Sequence, residues 1–376
     1  MLFIRQLLFL AALLAVDIPA SGADKEIAID DSHLLLSPYV WKQTGSGQNR
    51  RMEAVMPGAY LKARFQSSGR LGLRIDGTGN KDCPPESMPV IEFSVNHGPF
   101  QIVPLTKTAE VYTLPLADKL DPAKTHELEL VFRASDLTLE RWTSPKTHLR
   151  LAGLVLDHNG TLLPLTRRPR NAIAFGDSIT EGVGAEGLFT SWQKLQPNSA
   201  RVTWFPLVCA ALDCEYGQLG SGGQGISRQI HLPPLTKTWD RHEESTSRLV
   251  DGKLMPEPDF IFCEMGTNDY DKVITTDYIT WLTEMRKACP HSRFFCIVPT
   301  LGVHREEIVA AIAERHKAGD RRVYLVETKG LKETFRVSQE TETAYDGVHP
   351  SVYGHARLGS LIAVEVQKTL SAEKQP

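Results

Sequence analysis

The spacing of apolar residues changes near residue 171, and this change constrains the fold more than any other feature of the sequence. Beyond it, short apolar runs alternate with longer stretches that have apolar residues at helical spacing. Strands that alternate with helices form parallel sheets covered on both faces. We therefore predict an α/β domain over residues 171–372. Its predicted strands are Asn171–Phe175, Cys214–Gln218, Asp259–Glu264, Arg293–Val298 and Val323–Val326, and its helices are Val202–Leu212, Thr276–Ala288, Arg305–Lys317 and Val352–Leu370.

The preceding segment, 24–165, has apolar residues at every second position in short runs that Gly, Pro and Asn interrupt. The clearest runs are Ala59–Phe65, Leu71–Ile75, Ile91–Val95, His126–Phe132 and Leu149–Leu156. A period of two with frequent turn residues is typical of an antiparallel sandwich. We find no group of catalytic residues in this segment and interpret it as a structural or carbohydrate-facing domain. Thr166–Arg170, between the two domains, is predicted to be a solvated hinge.

Residues 1–23 have the pattern of a secretory signal. Arg5 precedes the apolar run Leu7–Val16, and Ser21–Ala23 supplies small residues for a cleavage site. The apolar run is too short to cross a bilayer as a helix, and we find no other candidate span. We therefore expect a secreted or periplasmic protein without stable membrane insertion once the signal is removed.

Charge and cysteine content exclude several classes of function. The 376 residues have a net charge of -3 and no long basic run, which argues against nucleic acid as a partner. The 6 cysteines are too few for a disulfide scaffold in a chain of this length, and no spacing resembles a zinc site. Cys263 and Cys296 are predicted to be buried thiols. Cys209 and Cys214 are the pair we expect to bond if an oxidising compartment makes a disulfide.

Ser178 follows the first predicted strand of the α/β domain in the sequence Gly-Asp-Ser. A serine at the carboxyl end of such a strand lies in the crevice where open α/β sheets bind ligands. It is therefore a candidate nucleophile. Gly, Asp and Ser are also common turn residues, so this stretch alone is equally well explained by a plain turn.

Three later stretches should reach the same edge of the sheet. The glycine-dense turn within Gln218–Ile226 can bring backbone N–H groups close to a ligand, although a flexible turn explains it better in isolation. Asn268 could donate to a developing negative oxygen or cap a following helix. Asp346 and His349 could supply the carboxylate and imidazole of a general base, or a helix cap with an incidental histidine. Pro350 could begin the last helix.

The four stretches occur in the order Ser, Gly, Asn, Asp-x-x-His. In this order the segment from about Asn171 to Leu370 resembles the SGNH subgroup of the GDSL hydrolases. The resemblance implies a flavodoxin-like three-layer α/β/α domain and ester hydrolysis without a metal or other cofactor. It also implies a catalytic triad of Ser178, His349 and Asp346.

The same resemblance implies an oxyanion hole, which binds the developing negative oxygen. Its donors would be the backbone amides of Ser178 and a glycine, together with the Asn268 side chain. The glycine turn differs from the family pattern, which has Asn and Ser where this chain has Gln218 and Gly222. We expect Gly223 to be the glycine donor, with Gly222 as the alternative.

The whole layout, a signal, a sandwich and an SGNH domain, is similar to the second family of carbohydrate esterases. These enzymes combine a jelly-roll with this catalytic domain and remove acetyl groups from polysaccharides such as xylan and glucomannan. The resemblance implies a jelly-roll-like sandwich over 24–165 and an acetylated oligo- or polysaccharide as substrate. The alternatives are a lipase, a thioesterase, a sialate O-acetylesterase, or an inactive carbohydrate-binding protein. The sequence does not indicate an oligomeric state. Four tryptophans could either stack on sugar rings or fill the core: Trp192, Trp204, Trp239 and Trp281.

Overall fold

The computed structural model describes residues 24–108, 110–187, 195–328 and 346–373. The predicted signal at 1–23 and Trp192 lie outside these ranges. Across the described ranges, no helix is both long and apolar enough to cross a membrane.

The N-terminal part consists of two antiparallel sheets of six strands each. One sheet has the order β3-β4-β11-β6-β9 with β1 paired to β11, and the other has the order β12-β5-β10-β7-β8 with β2 paired to β5. The strands are β1 (Lys25–Ala28), β2 (Leu35–Leu36), β3 (Lys42–Thr44), β4 (Arg51–Ala54), β5 (Tyr60–Gln66), β6 (Leu71–Asp76), β7 (Val90–Val95), β8 (Gln101–Pro104), β9 (Val111–Ala117), β10 (Thr125–Ala134), β11 (Leu149–Leu156) and β12 (Thr161–Leu163).

The core of this part lies between the two sheets. Leu61 and Phe65 of β5, and Leu73 and Ile75 of β6, belong to opposite sheets, are fully buried and share one apolar cluster. The alternation of inward and outward side chains that defines the period of two in the sequence therefore forms a sandwich. The five predicted strands are confirmed to within two residues at each end.

The C-terminal part is built on five parallel strands in the order β14-β13-β17-β18-β19. In chain order this is 2-1-3-4-5, the flavodoxin-like order. A short hairpin of two further strands lies between β14 and β17 in the sequence. The strands are β13 (Arg170–Gly176), β14 (Cys214–Gly220), β15 (Arg241–Glu243), β16 (Thr246–Ser247), β17 (Phe260–Glu264), β18 (Arg293–Ile297) and β19 (Val323–Val326).

Helices pack on both faces of the parallel sheet, and each face has its own apolar cluster. The last helix buries Leu358, Ile362 and Val366 on one side, as its spacing predicts. The prediction that Pro350 begins this helix is wrong, because the Ser351 hydroxyl caps it by accepting the Gly354 amide at 3.2 Å. The helices are α1 (Ser178–Glu181), α2 (Trp204–Ala211), α3 (Leu235–Thr238), α4 (Thr275–Ala288), α5 (Arg305–Lys317) and α6 (Val352–Ala372).

Two predictions about the start of this domain are wrong. Arg168 is not part of a solvated hinge, because its guanidinium donates to the carbonyls of Cys209 and Cys214 at 3.2 Å each. Cys209 and Cys214 form no disulfide, and both are buried free thiols. Cys209 faces the core from α2, and the Cys214 thiol donates to the Leu212 carbonyl at 3.5 Å. Cys263 and Cys296 are buried free thiols, as predicted.

A buried hydrogen-bond cluster joins the sandwich to the parallel sheet. The Tyr60 hydroxyl donates to the Glu215 carboxylate at 2.5 Å and accepts the Tyr216 amide at 3.1 Å. The other oxygen of Glu215 accepts the Arg168 amide at 3.1 Å. Burial and the charge of Glu215 raise the pKa of Tyr60 well above its usual value, so this hydroxyl keeps its proton. Each polar group of this cluster is therefore paired with a group of the other part of the chain or of the linker.

Candidate active site

Ser178 is the first residue of the helix α1, which follows β13 directly. Asp177 starts the helix by accepting a hydrogen bond from the Ile179 amide at 2.9 Å. Gly182 ends it with a φ of +87°, and its amide donates to the Ser178 carbonyl at 3.0 Å. A helical turn fixed at both ends, rather than a plain turn, therefore holds Ser178, of which only 4% is exposed.

His349 lies against Ser178 from the loop that precedes α6. Its Nε2 lies 2.9 Å from Ser178 Oγ, although the two residues are 171 positions apart. Its Nδ1 lies 2.6 Å from Asp346 Oδ2. A ring proton on Nδ1, facing the carboxylate, leaves Nε2 to accept the proton of the serine hydroxyl. The three side chains form one hydrogen-bonded chain.

Asp346 is held in this position by the backbone of its own loop. Its Oδ1 accepts the amides of Val348 and His349 at 2.9 and 2.7 Å. Burial alone would raise the pKa of Asp346, but the hydrogen bond to the His349 ring, its charge and the two amides outweigh burial. They lower the pKa to about 2. The carboxylate is therefore charged at any pH above this value.

The glycine turn lies against α1. The amide of Gly222 donates to Glu181 Oε2 at 2.6 Å, and the Ser221 amide donates to the Gly176 carbonyl at 3.1 Å. Gly223 has a φ of +76°, which favours glycine. The turn is therefore tied to the elements on both sides of Ser178.

Asp269 holds the other end of the glycine turn. Its carboxylate accepts the amides of Ile226, Ser227 and Arg228 at 3.0, 2.9 and 3.0 Å. A side chain at Gly225 would collide with it, since a Cβ there would lie 2.5 Å from Asp269 Oδ1. Asp269 is not among the site residues predicted from the sequence. Its sequence position, directly after Asn268, was the signal that could have linked it to the turn.

Asn268 also contacts the glycine turn rather than a helix. Its Nδ2 donates to the Gln224 carbonyl at 3.1 Å. The next helix, α4, begins at Thr275 after Ile274, so the helix-cap interpretation is wrong. A side-chain amide has two hydrogens, and no described residue accepts the second one.

Two buried carboxyl groups lie beneath Ser178. Burial raises the pKa of Asp177. Burial, and then the charge of Asp177, raises the pKa of Glu264 well above its usual value. Thr180 donates to Glu264 Oε2 at 3.2 Å. Burial therefore favours the protonated form of both acids. Within the described ranges, no group of three or more His, Cys, Asp or Glu side chains is arranged to hold a metal ion.

Sequence reasoning missed the contribution of the sandwich to this site. Arg141 follows β10, is 1% exposed and donates to Glu181 Oε1 at 2.9 Å. It also donates to the Ser135 carbonyl and hydroxyl at 2.8 and 2.7 Å. Arg141 and Glu181 are 40 positions apart, and no local pattern marks a pair across two domains.

A cavity of about 30 Å³ lies between the two parts beside the glycine turn. Met56 and Trp142 line it from the sandwich, and Trp239 lines it from the α/β part. It has room for about two water molecules. Trp204 and Trp281, in contrast, fill the core, with 0% and 1% exposed.

Comparison with known proteins agrees with this geometry. Residues 174–357 match the model of the GDSL-like lipase/acylhydrolase family. No curated protein matches the chain by sequence.

Several solved structures share the fold of the whole chain. A family two carbohydrate esterase from Cellvibrio japonicus is 17% identical with a TM-score of 0.73, and the match covers 92% of this chain and 98% of that one. An acetyl xylan esterase from the rumen bacterium Butyrivibrio proteoclasticus is 15% identical with a TM-score of 0.73, covering 93% and 99%. A family two carbohydrate esterase from Clostridium thermocellum, in complex with cellohexaose, is 19% identical with a TM-score of 0.71, covering 90% and 99%.

The resemblance that the four sequence stretches indicate is therefore confirmed. The segment 174–357 matches the GDSL-like lipase/acylhydrolase family model and is combined with a sheet-rich N-terminal part, and the chain is a carboxylic ester hydrolase.

Proposed function

We propose that this protein is a secreted serine esterase that removes acetyl groups from carbohydrates. The observation that supports the chemistry is the hydrogen-bonded chain, 2.9 Å from Ser178 to His349 and 2.6 Å from His349 to Asp346. His349 takes the proton of Ser178 as Oγ attacks the ester carbonyl, then donates it to the leaving sugar oxygen. Asp346 orients the imidazole and stabilises its charged form. Water then releases acetate from the acyl-enzyme by the same steps in reverse.

The oxyanion hole in this proposal consists of the Ser178 and Gly223 amides and the Asn268 side chain. Gly222 is the weaker choice, because its amide already donates to Glu181 at 2.6 Å. The Gly223 amide has no acceptor among the described residues. Asn268 uses one hydrogen for a carbonyl of the glycine turn and keeps the other for the oxyanion. Such a donor typically contributes about 3–4 kcal/mol to the transition state.

The substrate class in this proposal is an acetylated oligo- or polysaccharide. It is supported by the carbohydrate esterases among the structural neighbours, one of them bound to cellohexaose. The proposed organisation is a signal at 1–23, a jelly-roll-like sandwich at 24–165 and the catalytic domain at 171–372. The end of β12 at Leu163 and the start of β13 at Arg170 support this division.

Two alternatives predict different behaviour. A lipase, thioesterase or sialate O-acetylesterase would use the same triad on another ester. An inactive carbohydrate-binding protein would bind glycans and release no acetate. The intact hydrogen-bonded chain argues against the inactive protein.

The test is acetate release from acetylated xylan, glucomannan and pectin by the wild type and by Ser178→Ala. We expect the wild type to release acetate from at least one of them and Ser178→Ala to lose about 10⁶-fold in kcat. Ser94→Ala is the matched control, since Ser94 is also buried, with its hydroxyl on the Gly98 carbonyl at 2.7 Å. Undiminished acetate release by Ser178→Ala would exclude this mechanism. Glycan binding without any acetate release by the wild type would favour the inactive alternative.

A further inference from the structure

Glu181 connects the candidate nucleophile to the glycine turn. It lies in α1, the helix that begins with Ser178. Its Oε2 accepts the Gly222 amide at 2.6 Å, and Gly222 directly precedes Gly223. The side chain of Glu181 is only 4% exposed. One buried carboxylate therefore ties the helix that begins with Ser178 to the residue next to Gly223.

Arg141 of the sandwich holds the second oxygen of this carboxylate. Its side chain is 0% exposed and lies 2.9 Å from Glu181 Oε1. The Ser135 carbonyl and hydroxyl orient the guanidinium from the other side at 2.8 and 2.7 Å. A charge-assisted hydrogen bond between buried groups is strong and directional. Loss of Arg141 would leave the Glu181 carboxylate in the interior without its ion-pair partner.

The sandwich also packs directly on the glycine turn. A Cβ at Gly222 would lie 2.7 Å from the Leu137 side chain, so the two are in close contact. On the other side, a Cβ at Gly223 would lie 3.0 Å from the His231 ring. The glycine turn is therefore packed on both sides and has little freedom to shift unless Arg141 and Glu181 shift with it.

We propose that Arg141 and Glu181 are positioning residues for ester hydrolysis, through which the N-terminal domain sets the geometry of the oxyanion hole. This inference rests on the proposed function. The pair touches no reacting atom, and it acts by holding Gly222 so that the Gly223 amide points at the developing oxyanion. A donor that is displaced by a fraction of an ångström binds the substrate carbonyl nearly as well but stabilises the transition state less. Loss of the pair should therefore lower kcat more than it changes KM.

Arg133 provides a matched control. It belongs to β10, is also 1% exposed, and also bridges the two domains, by donating to Glu186 and to the Gln196 carbonyl. It pairs with the buried Glu92 at 3.0 Å and makes no contact with the glycine turn. Arg133→Met and Arg141→Met should therefore cost comparable stability, while only Arg141→Met disturbs the oxyanion hole.

The experiment measures kcat and KM for p-nitrophenyl acetate, together with the thermal midpoint of each variant. We expect Arg141→Met to lose about 100- to 1,000-fold in kcat with KM changed by less than about threefold, as for removal of one oxyanion donor. Arg141→Lys should recover part of this loss, because it keeps the charge. Arg133→Met should keep kcat within about fivefold of the wild-type value. Its thermal midpoint should fall about as far as that of Arg141→Met.

Glu181→Gln keeps the inference testable if Arg141→Met does not fold. It has the same shape, and we expect it to lose about tenfold or more in kcat. Equal kcat losses in Arg133→Met and Arg141→Met, or unchanged kcat in folded Arg141→Met or Glu181→Gln, would overturn the positioning role. Labelling of Ser178 by a fluorophosphonate separates the two proposals. A wild type that is neither labelled nor active would overturn the proposed function itself, whereas a labelled, active wild type with unaffected variants overturns only this inference.

Discussion

Replacing Asp346 by asparagine removes the charge of the proposed triad while its loop contacts are kept. Asp346 Oδ1 accepts the Val348 and His349 amides at 2.9 and 2.7 Å, and the asparagine oxygen can accept both. Its NH₂ group then faces Nδ1 of His349, which becomes an acceptor, so the ring proton moves to Nε2. With a proton on Nε2, His349 cannot accept the proton of Ser178.

The expected loss for Asp346→Asn is about 10⁴-fold in kcat, or about 5.5 kcal/mol of barrier. This is less than the loss of about 10⁶-fold for Ser178→Ala, because the nucleophile itself remains. Since the pKa of Asp346 is lowered to about 2, the wild-type carboxylate is charged throughout the assay range. Protonation of Asp346 itself therefore does not contribute to the pH dependence of the wild-type rate between about pH 5 and about pH 8.

The assay is initial-rate hydrolysis of p-nitrophenyl acetate, with the thermal midpoint measured to verify folding. Asp76→Asn is the control, because Asp76 Oδ1 accepts the Thr78 amide at 3.0 Å in a similar turn of the sandwich. It should leave kcat unchanged. If Asp346→Asn kept more than about a tenth of the wild-type kcat, the tautomer argument would be refuted.

Two further predictions concern stability. Tyr60→Phe leaves the Glu215 carboxylate and the Tyr216 amide without their shared partner. The free energy of unfolding, measured by urea titration, should therefore fall by about 2–4 kcal/mol. An unchanged unfolding midpoint would contradict the stabilising role of this hydrogen-bond cluster. Glu264 has a pKa that burial, and then Asp177, raises in the folded state. The wild type therefore loses stability as the pH rises above the pKa of an unfolded glutamate, by up to about 1.4 kcal/mol per pH unit. Glu264→Gln lacks this loss, so its free energy of unfolding relative to the wild type should increase between about pH 5 and about pH 7. A constant or falling difference would refute a raised pKa of Glu264 in the folded state.

The elements of the fold could be predicted because each follows from a local pattern. The α5 helix has Ile308, Ala311 and Ile312 at helical spacing and the β19 strand is continuously apolar, and both were predicted with their observed ends. The two-residue strand Leu35–Leu36 and the half-exposed strand Lys42–Thr44 were not singled out. They are too short to show a period, and their pairing with β5 and β4 is what forms them.

The candidate site was accessible from the sequence for a different reason. Ser178 and Asn268 follow the neighbouring strands β13 and β17, and the loop from Asp346 to His349 precedes α6, so the topology brings them together. Sequence reasoning could not find Arg141, because nothing in its own neighbourhood distinguishes it from a surface arginine. The prediction of a Cys209–Cys214 disulfide was wrong for a related reason. Closeness in sequence says nothing about the direction in which each side chain points.

The contacts between the two parts indicate that the change of fold near residue 170 does not divide the site. Arg133 and Arg141 are almost fully buried, and each has an acidic partner across the boundary. A buried charge without its partner is strongly destabilising, so neither surface is suited to solvent. The sandwich is therefore better understood as one wall of the candidate active site than as a separate module, and we expect the geometry of the Gly223 amide to depend on both parts of the chain.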